Sequence, residues 1–481
     1  MKKIFMLTCI FFYSNCLPQS VISENQELQP VGLQDKVITS LTVEQTDFDK
    51  TTQLSDNIFA GTENGVFGTS LIADSSNWIS IGLENRSVTA LNIQHWGVGP
   101  VDGLTLFAAV IPDYEQGDST FIFRREIYLA ADTNWIASDS GISKSINGIY
   151  ALNSYYFSGH EPPQPILAGG YNDLYQANWS GYFWTQSEIE DVDLQPVIKA
   201  IDVNVHWGGN LTWAAGYIGL SPAAFRSTDQ GETWKAFPLI AFQDYAPASS
   251  IAINTRNPDS VYICWLNSIL LTPDNGESWE GVLSTRAGGI GRVAVDPLYP
   301  ENVFAGTWFV DDSHQSPDHA EFLHSKNGGK DWEHINPVTN VPLEYITSIV
   351  VLNRLEENNT YVFVGTAGTG VWYYKYPIVT DAAINKNIPE KFILYQNFPN
   401  PFNPSTKIKF EIPPAPSRKL SFVCLKVYDV LGREIATLVD EEKPEGEYEV
   451  EFDANNLTSG IYFYAIKAGN FYQVKKMILL R

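Results

Sequence analysis

The sequence predicts an all-β chain: a long array of four-stranded units followed by a small β-sandwich. Three observations carry this. An eight-residue phrase, Ser227-Thr228-Asp229-Gln230-Gly231-Glu232-Thr233-Trp234, returns as Thr272-Pro273-Asp274-Asn275-Gly276-Glu277-Ser278-Trp279 and as Ser325-Lys326-Asn327-Gly328-Gly329-Lys330-Asp331-Trp332. Short apolar strands ending in Ala or Gly recur roughly 41 to 60 residues apart. The chain carries 13 Trp, 24 Tyr and 26 Phe, a load that suits pleated, half-buried surfaces.

In the repeated phrase, Asp229, Asp274 and Asn327 bond backbone N–H groups ahead of them and so fold a tight turn. Gly231, Gly276 and Gly328 are expected to supply the positive φ of that turn. Trp234, Trp279 and Trp332 then bury a large ring against the joined strands. The pattern resembles the Asp-box, or BNR repeat, of sialidase-like, sortilin-like and photosystem-assembly-factor-like β-propellers. The resemblance implies architecture and leaves activity open.

Along the chain, residues 1–20 read as a signal peptide: Lys2-Lys3, then an apolar core from Ile4 to Tyr13. That core is too short to span a bilayer, and Tyr13-Ser14-Asn15 makes a poor lipobox before Cys16. No later stretch has the length of a transmembrane helix. The recurring strands are Phe59–Thr62, Phe107–Ala109, Leu167–Gly170, Trp213–Gly216, Tyr262–Cys264, Phe304–Thr307 and Phe363–Thr366. Each follows an inner strand, such as Val88–Ile93 or Ile346–Leu352. Each precedes a third strand, a turn, and an outer strand opening on Trp78, Trp135, Trp184, Trp234, Trp279 or Trp332. The last unit stops at Pro377 without its outer strand. The missing piece stands at the other end, where Leu28–Leu33 and Val37–Leu41 parallel Trp78–Leu83 and Val88–Leu91 at an offset of fifty. The expectation is a seven-bladed β-propeller over residues 27–376, closed by Leu28–Leu33 beside Val371–Tyr374, which leaves few free edges.

Residues 377–393 read as a linker and 394–481 as an immunoglobulin-like β-sandwich. Its Pro-rich lead-in runs from Leu394 through Asn400-Pro401-Phe402-Asn403-Pro404. Strands are expected at Thr406–Ile412, Leu420–Asp429, Tyr448–Phe452, Ile461–Ile466 and Phe471–Leu480. Val427-Tyr428-Asp429-Val430-Leu431-Gly432-Arg433-Glu434, Leu457-Thr458-Ser459-Gly460-Ile461-Tyr462-Phe463-Tyr464 and the ending Lys475-Lys476-Met477-Ile478-Leu479-Leu480-Arg481 closely resemble the type A sorting domain of the type IX secretion system. The resemblance implies that machinery as a partner, passage through the periplasm, and a secreted or outer-membrane surface destination.

Charge narrows the partners. With 55 Asp+Glu against 31 Lys+Arg, the formal net is -24, a field that repels phosphate backbones, so no nucleic-acid partner is expected. Beyond Cys9 and Cys16, Cys264 and Cys424 lie in apolar strands and read as buried thiols. No zinc spacing, phosphate-binding loop or nucleophile elbow occurs, so no cofactor, metal or catalytic residue is assigned. A sialidase needs an arginine triad, and the Arg-Ile-Pro signature is absent; Arg226 and Arg292 read as structural. Xyloglucanase-like hydrolases resemble two tandem propellers with a cleft between them, and this chain has room for one.

Two insertions fall on one face of the ring, Pro112–Asp118 and Asp311–Glu321. They make Tyr114, Trp308, Asp311, Asp312, His314 and Asp318 the candidate ligand-binding residues, with aromatic rings to stack on a sugar and carboxylates to bond its hydroxyls. His95-Trp96-Gly97 and His206-Trp207-Gly208 are expected in equivalent loops on the other face. The expected function is a secreted or surface propeller that binds a glycan or a protein. The alternatives are a carbohydrate-active hydrolase or lyase using top-face carboxylates, and a non-catalytic scaffold.

Overall fold

The computed structural model of the 481-residue chain describes residues 27–44, 57–70, 77–97, 102–114, 118–127, 134–143, 148–154, 165–171, 173–177, 181–190, 192, 196–203, 211–239, 248–285, 288–308, 319–338, 341–354, 357–378, 392–412, 421–443, 446–468 and 471–480. It divides into two compact units, the first ending at Tyr376 and the second containing Pro377–Arg481.

Among the described residues the first unit forms seven sheets. Blade one holds β2 to β5 (Ile38–Val43, Asn57–Thr62, Gly65–Ser70, Ile79–Gly82). Blade two holds β6 to β9 (Val88–Gly97, Asp102–Val110, Ile122–Glu126, Ile136–Ala137). Blade three holds β10 to β13 (Ile149–Ser154, Ile166–Gly170, Leu174–Ala177, Trp184–Gln186). Blade four holds β15 to β18 (Pro196–Val203, Thr212–Ile218, Ser221–Ser227, Thr233–Pro238). Blade five holds β19 to β22 (Ala248–Ile253, Val261–Trp265, Ser268–Thr272, Glu280–Ser284) and blade six β23 to β26 (Gly289–Val295, Val303–Trp308, Phe322–Ser325, Glu333–Ile335). Blade seven takes β27 to β29 (Ile346–Arg354, Asn359–Thr366, Val371–Pro377) and, at its outer edge, β1 (Gln29–Gly32). There Gln29 pairs with Tyr373 and Pro30 with Trp372, and the Tyr373 hydroxyl donates to Gln29 Oε1 at 2.6 Å. The fold is an all-β propeller.

The Ala/Gly strands explain themselves in this packing. A Cβ on Gly61, Gly169, Gly306 or Gly365 would come within 2.6, 2.4, 2.4 and 2.7 Å of Val88, Ile198, Ile346 and Ile38. Each of those residues sits at the start of the next blade's innermost strand, so adjacent sheets close against a backbone that leaves no room for a methyl group. The innermost strands β2, β6, β10, β15, β19 and β23 also share one bulge, between Ile38/Ser40, Val88/Ala90, Ile149/Ala151, Ile198/Ala200, Ala248/Ser250 and Ile290/Arg292. A bulge bends its strand and re-aims the extra residue. Here the extra residues are Thr39, Thr89, Tyr150, Lys199, Ser249 and Gly291.

Three features depart from the sequence reading. His95, Trp96 and Gly97 are not in a loop: their backbone extends β6 and pairs with Leu104, Gly103 and Asp102, while 206–208 lie outside the described residues. A short strand β14 (Glu188–Glu190) adds parallel to β18, giving blade four a fifth strand; its two glutamates suit an edge that must not recruit other chains. Cys424 is half-buried where Cys264 is fully buried, and both are free thiols.

The second unit packs two sheets around one apolar core. They are β30-β31-β34 (Ile393–Leu394, Ser405–Ile412, Gly446–Asp453) and β33-β32-β35-β36 (Glu434–Lys443, Ser421–Tyr428, Gly460–Ala468, Phe471–Leu479). The buried Tyr464 pins the Pro-rich lead-in: its hydroxyl donates to Tyr395 O at 2.7 Å and accepts Asn397 N–H at 2.8 Å. Strand β33 was not expected. Its acidic stretch Asp440-Glu441-Glu442 masks an apolar pattern and matches a sheet edge, where charge is tolerated and useful.

Candidate functional site

The three repeated phrases fold alike. Ser227 Oγ accepts Gly231 N–H at 2.8 Å, Thr272 Oγ1 accepts Gly276 N–H at 2.8 Å, and Ser325 Oγ accepts Gly329 N–H at 2.8 Å. Asp229, Asp274 and Asn327 each accept the N–H four residues on, at 2.9, 2.8 and 2.9 Å. The glycine of the third turn is therefore Gly329, at φ 87°, beside 95° and 94° for Gly231 and Gly276. Gly328 takes the preceding position, that of Gln230 and Asn275, also at positive φ. Trp234 is buried, with its indole N–H on Gly231 O at 3.0 Å, whereas Trp279 and Trp332 are half-buried. Each turn also packs on the preceding blade: Ser187 Oγ donates to Gly231 O at 2.6 Å, Trp279 meets Trp213 edge-on at 6.3 Å, and Trp332 donates to Val282 O at 3.2 Å. These turns bind blade to blade.

One end of the ring gathers chemistry of a different kind. Residues starting the innermost strands and ending the second strands share this end, because Val88 pairs with Val110, Ile149 with Gly170 and Gly289 with Trp308. Tyr150 and Lys199, both half-buried bulge residues, meet here, with the Lys199 ammonium 3.6 Å from the Tyr150 ring centroid. A cation over an aromatic face is held by the ring quadrupole. Burial pushes the Lys199 pKa down from its ordinary value. Tyr171 bridges to Val197, which pairs with Tyr217. The Tyr217 pKa is raised, first by burial and then by the neighbouring phenols of Tyr171 and Tyr150.

Arg292 lies one position past its own bulge. Its Nε and Nη1 donate to Thr347 O at 2.5 Å, Gly291 O at 2.7 Å and Ser249 O at 3.4 Å, reaching from blade five to blade seven. On the blade-six side Trp308 covers Gly289 and Gly291 and stacks on the exposed Tyr345 at 5.7 Å. Tyr114 follows β7 at the same end and is 58% exposed. Asp311, Asp312, His314 and Asp318 lie outside the described residues.

Sequence reasoning named Tyr114 and Trp308 but missed Tyr150, Lys199, Tyr171 and Tyr217. Their signal was present, a Tyr and a Lys at the bulge position that other blades fill with Thr, Ser or Gly, yet it becomes visible only once the bulges are aligned. Two interior networks are structural. Asp296, fully buried, accepts from the Tyr376 hydroxyl at 2.5 Å, from Leu298 and Tyr299 N–H, and from Asn353 Nδ2. His324 sits between Tyr374 and Asn302, stacked on Phe304 at 4.5 Å. Among the described residues no cluster of His, Cys, Asp and Glu has a metal-holding arrangement, and no helix is long and apolar enough to cross a membrane.

Residues 396–480 match the secretion system C-terminal sorting domain family. A tail of this family directs export, to the outside of the cell or the outer-membrane surface. No curated protein matches the sequence. Among solved structures, YCF48 bound to D1 peptide is 12% identical with a TM-score of 0.47, over 73% of this chain and 98% of that one. The extracellular domain of the one-component system BT4673 from B. thetaiotaomicron is 11% identical with a TM-score of 0.46, over 95% of this chain and 60% of that one. The GH74 enzyme of Niastella koreensis is 12% identical with a TM-score of 0.27, over 86% of this chain and 67% of that one. The fold rests on the strand pairing above rather than on these likenesses.

Proposed function

We propose that the chain is an exported propeller that binds a glycan or protein ligand at the end of the ring where Tyr150, Lys199, Tyr171 and Tyr217 meet, with its Asp-boxes serving as structure. The observation that carries this reading is the character of that mouth. Half-buried phenols and a cation line it, and the Trp308–Tyr345 stack forms a second aromatic ledge. Aromatic faces with a few polar tips bind ligands, and fold alone does not choose between binding and catalysis. Tyr114 and Trp308, together with Asp311, Asp312, His314 and Asp318 from the sequence reading, belong to the same proposal as ligand-binding residues. A signal peptide at residues 1–20 and the type IX machinery acting on the tail complete the route.

The test is glycan-array and protein-overlay binding by the full chain, run beside a hydrolysis screen on the same polysaccharides. Retained ligand, lost in Tyr217→Ala without a change in melting, supports the reading. Released sugar with no retained ligand overturns it in favour of the hydrolase.

A further inference from the structure

Lys199 and Arg292 stand out in a protein of formal net charge -24. Both occupy the innermost strands at the level of the bulge, flanking Ser249 of blade five, whose carbonyl Arg292 already touches. Among the described residues neither has a carboxylate partner: Lys199 rests on the Tyr150 ring, and Arg292 donates only to backbone carbonyls. The other terminal nitrogen of Arg292 makes no hydrogen bond among the described residues and is not among the buried unpaired atoms. A partly desolvated cation is costly to hold unless an anion completes it. In a chain with 55 acidic side chains, two cations left without one at a ring mouth mark a place kept for an anion from outside.

The backbone narrows the kind of anion. An extended peptide would bind by adding a strand to a free edge. Inner-edge N–H groups of β2, β6, β19 and β23 are already engaged. Leu41, Leu91 and Val293 donate their N–H groups to Ser348, Ser40 and Ser250 of the preceding blade, and Ile253 donates to Asp202. What the mouth offers is side-chain chemistry: the Lys199 ammonium, the outer nitrogen of Arg292 and the phenols of Tyr150, Tyr171 and Tyr217, which suit a carboxylate and ring hydroxyls.

Resting on the binding function above, we propose that the ligand is an acidic glycan, a uronate polymer with successive carboxylates that pair one with Lys199 and another with Arg292 while its hydroxyls bond the three tyrosines. The full chain is titrated calorimetrically with polygalacturonate, alginate and hyaluronate, each beside its carboxyl-reduced, neutral counterpart. At least one uronate polymer binds, and its reduced form binds about tenfold or more weakly. Lys199→Met melts like wild type and loses a similar factor; Arg292→Lys keeps the charge and loses less, which guards against a misfolded Arg292 variant. Equal binding of acidic and reduced polymers, or unchanged affinity in Lys199→Met, overturns the acidic ligand and leaves the binding propeller standing. Binding of carboxyl-terminal peptides in place of any polymer overturns the glycan. No binding of any kind overturns both.

Discussion

Ser348 Oγ accepts the backbone N–H of Leu41 at 3.1 Å, joining the innermost strand of the last blade to that of the first across 307 residues of sequence. The same bond recurs within the ring, from Leu91 to Ser40 at 3.1 Å and from Val293 to Ser250 at 3.2 Å. Closure is therefore made by the same chemistry as propagation, with β1 completing the outer edge. Ser348→Ala strands a buried N–H and is expected to cost about 1–3 kcal/mol, read from the midpoint of denaturant unfolding. Ser40→Ala should cost a similar amount, since its bond is equivalent. A Ser348→Ala protein as stable as wild type would show that the seam is held by apolar packing alone.

The box tryptophans are expected to act on stability and not on ligand. Trp234 is buried among Leu167, Leu174, Ala223 and Phe225, so Trp234→Ala should cost roughly 3–5 kcal/mol. Trp279 and Trp332 are half-buried, and their alanine variants should lose less. A Trp234→Ala protein that melts like wild type yet no longer binds its ligand would reverse the assignment.

Two interior groups give opposite pH dependences. Asn302 Oδ1 can only accept, so His324 Nε2 carries the proton toward it at 3.0 Å, and Nδ1 faces the Tyr374 hydroxyl at 3.3 Å and the Glu333 carboxylate at 3.4 Å. Burial lowers the His324 pKa from 6.5 to about 3. The unfolded chain therefore binds this proton first, and stability is lost as pH falls below 6.5, by roughly 3 kcal/mol at pH 4. Asp202 runs the other way. Burial raises its pKa to about 7 against the two N–H groups it accepts, so the folded state holds a proton that the unfolded state has released, and stability is lost as pH rises from about 4 to about 7. Because the two oppose, site-resolved NMR is the check. The His324 ring should stay neutral at pH 5, and the Asp202 carboxyl should titrate near 7. A His324 midpoint near 6.5 would show that the ring is solvated.

The architecture was legible because its causes are local. Ala60-Gly61, Ala168-Gly169 and Ala305-Gly306 report a close sheet contact that any larger side chain would break, and Asp229 and Asp274 fold their turns with bonds spanning four residues. The mouth was not legible for the converse reason. Tyr150 and Lys199 are 49 positions apart in the numbering and meet only because two bulges in adjacent blades share a level. Gly328 and Gly329 both take positive φ, and because two glycines in a row satisfy composition equally, only the N–H that reaches Ser325 gives Gly329 the position of Gly231 and Gly276. Glu434–Lys443 hid as a strand because edges favour charge over alternation.

The tail is expected to be dispensable for folding and required for export. Its core closes on itself, from Leu394 and Phe402 through Tyr464 to Met477 and Leu479, while the propeller closes through β1 and Ser348 without any residue beyond Pro377. Residues 396–480 match a sorting family, so this segment carries the address. Deleting Tyr395 to Arg481 should leave a propeller whose unfolding transition matches that of the first unit in the full chain, and the truncated protein should collect in the periplasm. Fractionation of cells expressing both forms, with far-UV circular dichroism of the recovered proteins, separates the possibilities. A truncated protein that still reaches the surface or medium would place the export signal elsewhere, and one that fails to fold would mean that the propeller depends on its tail.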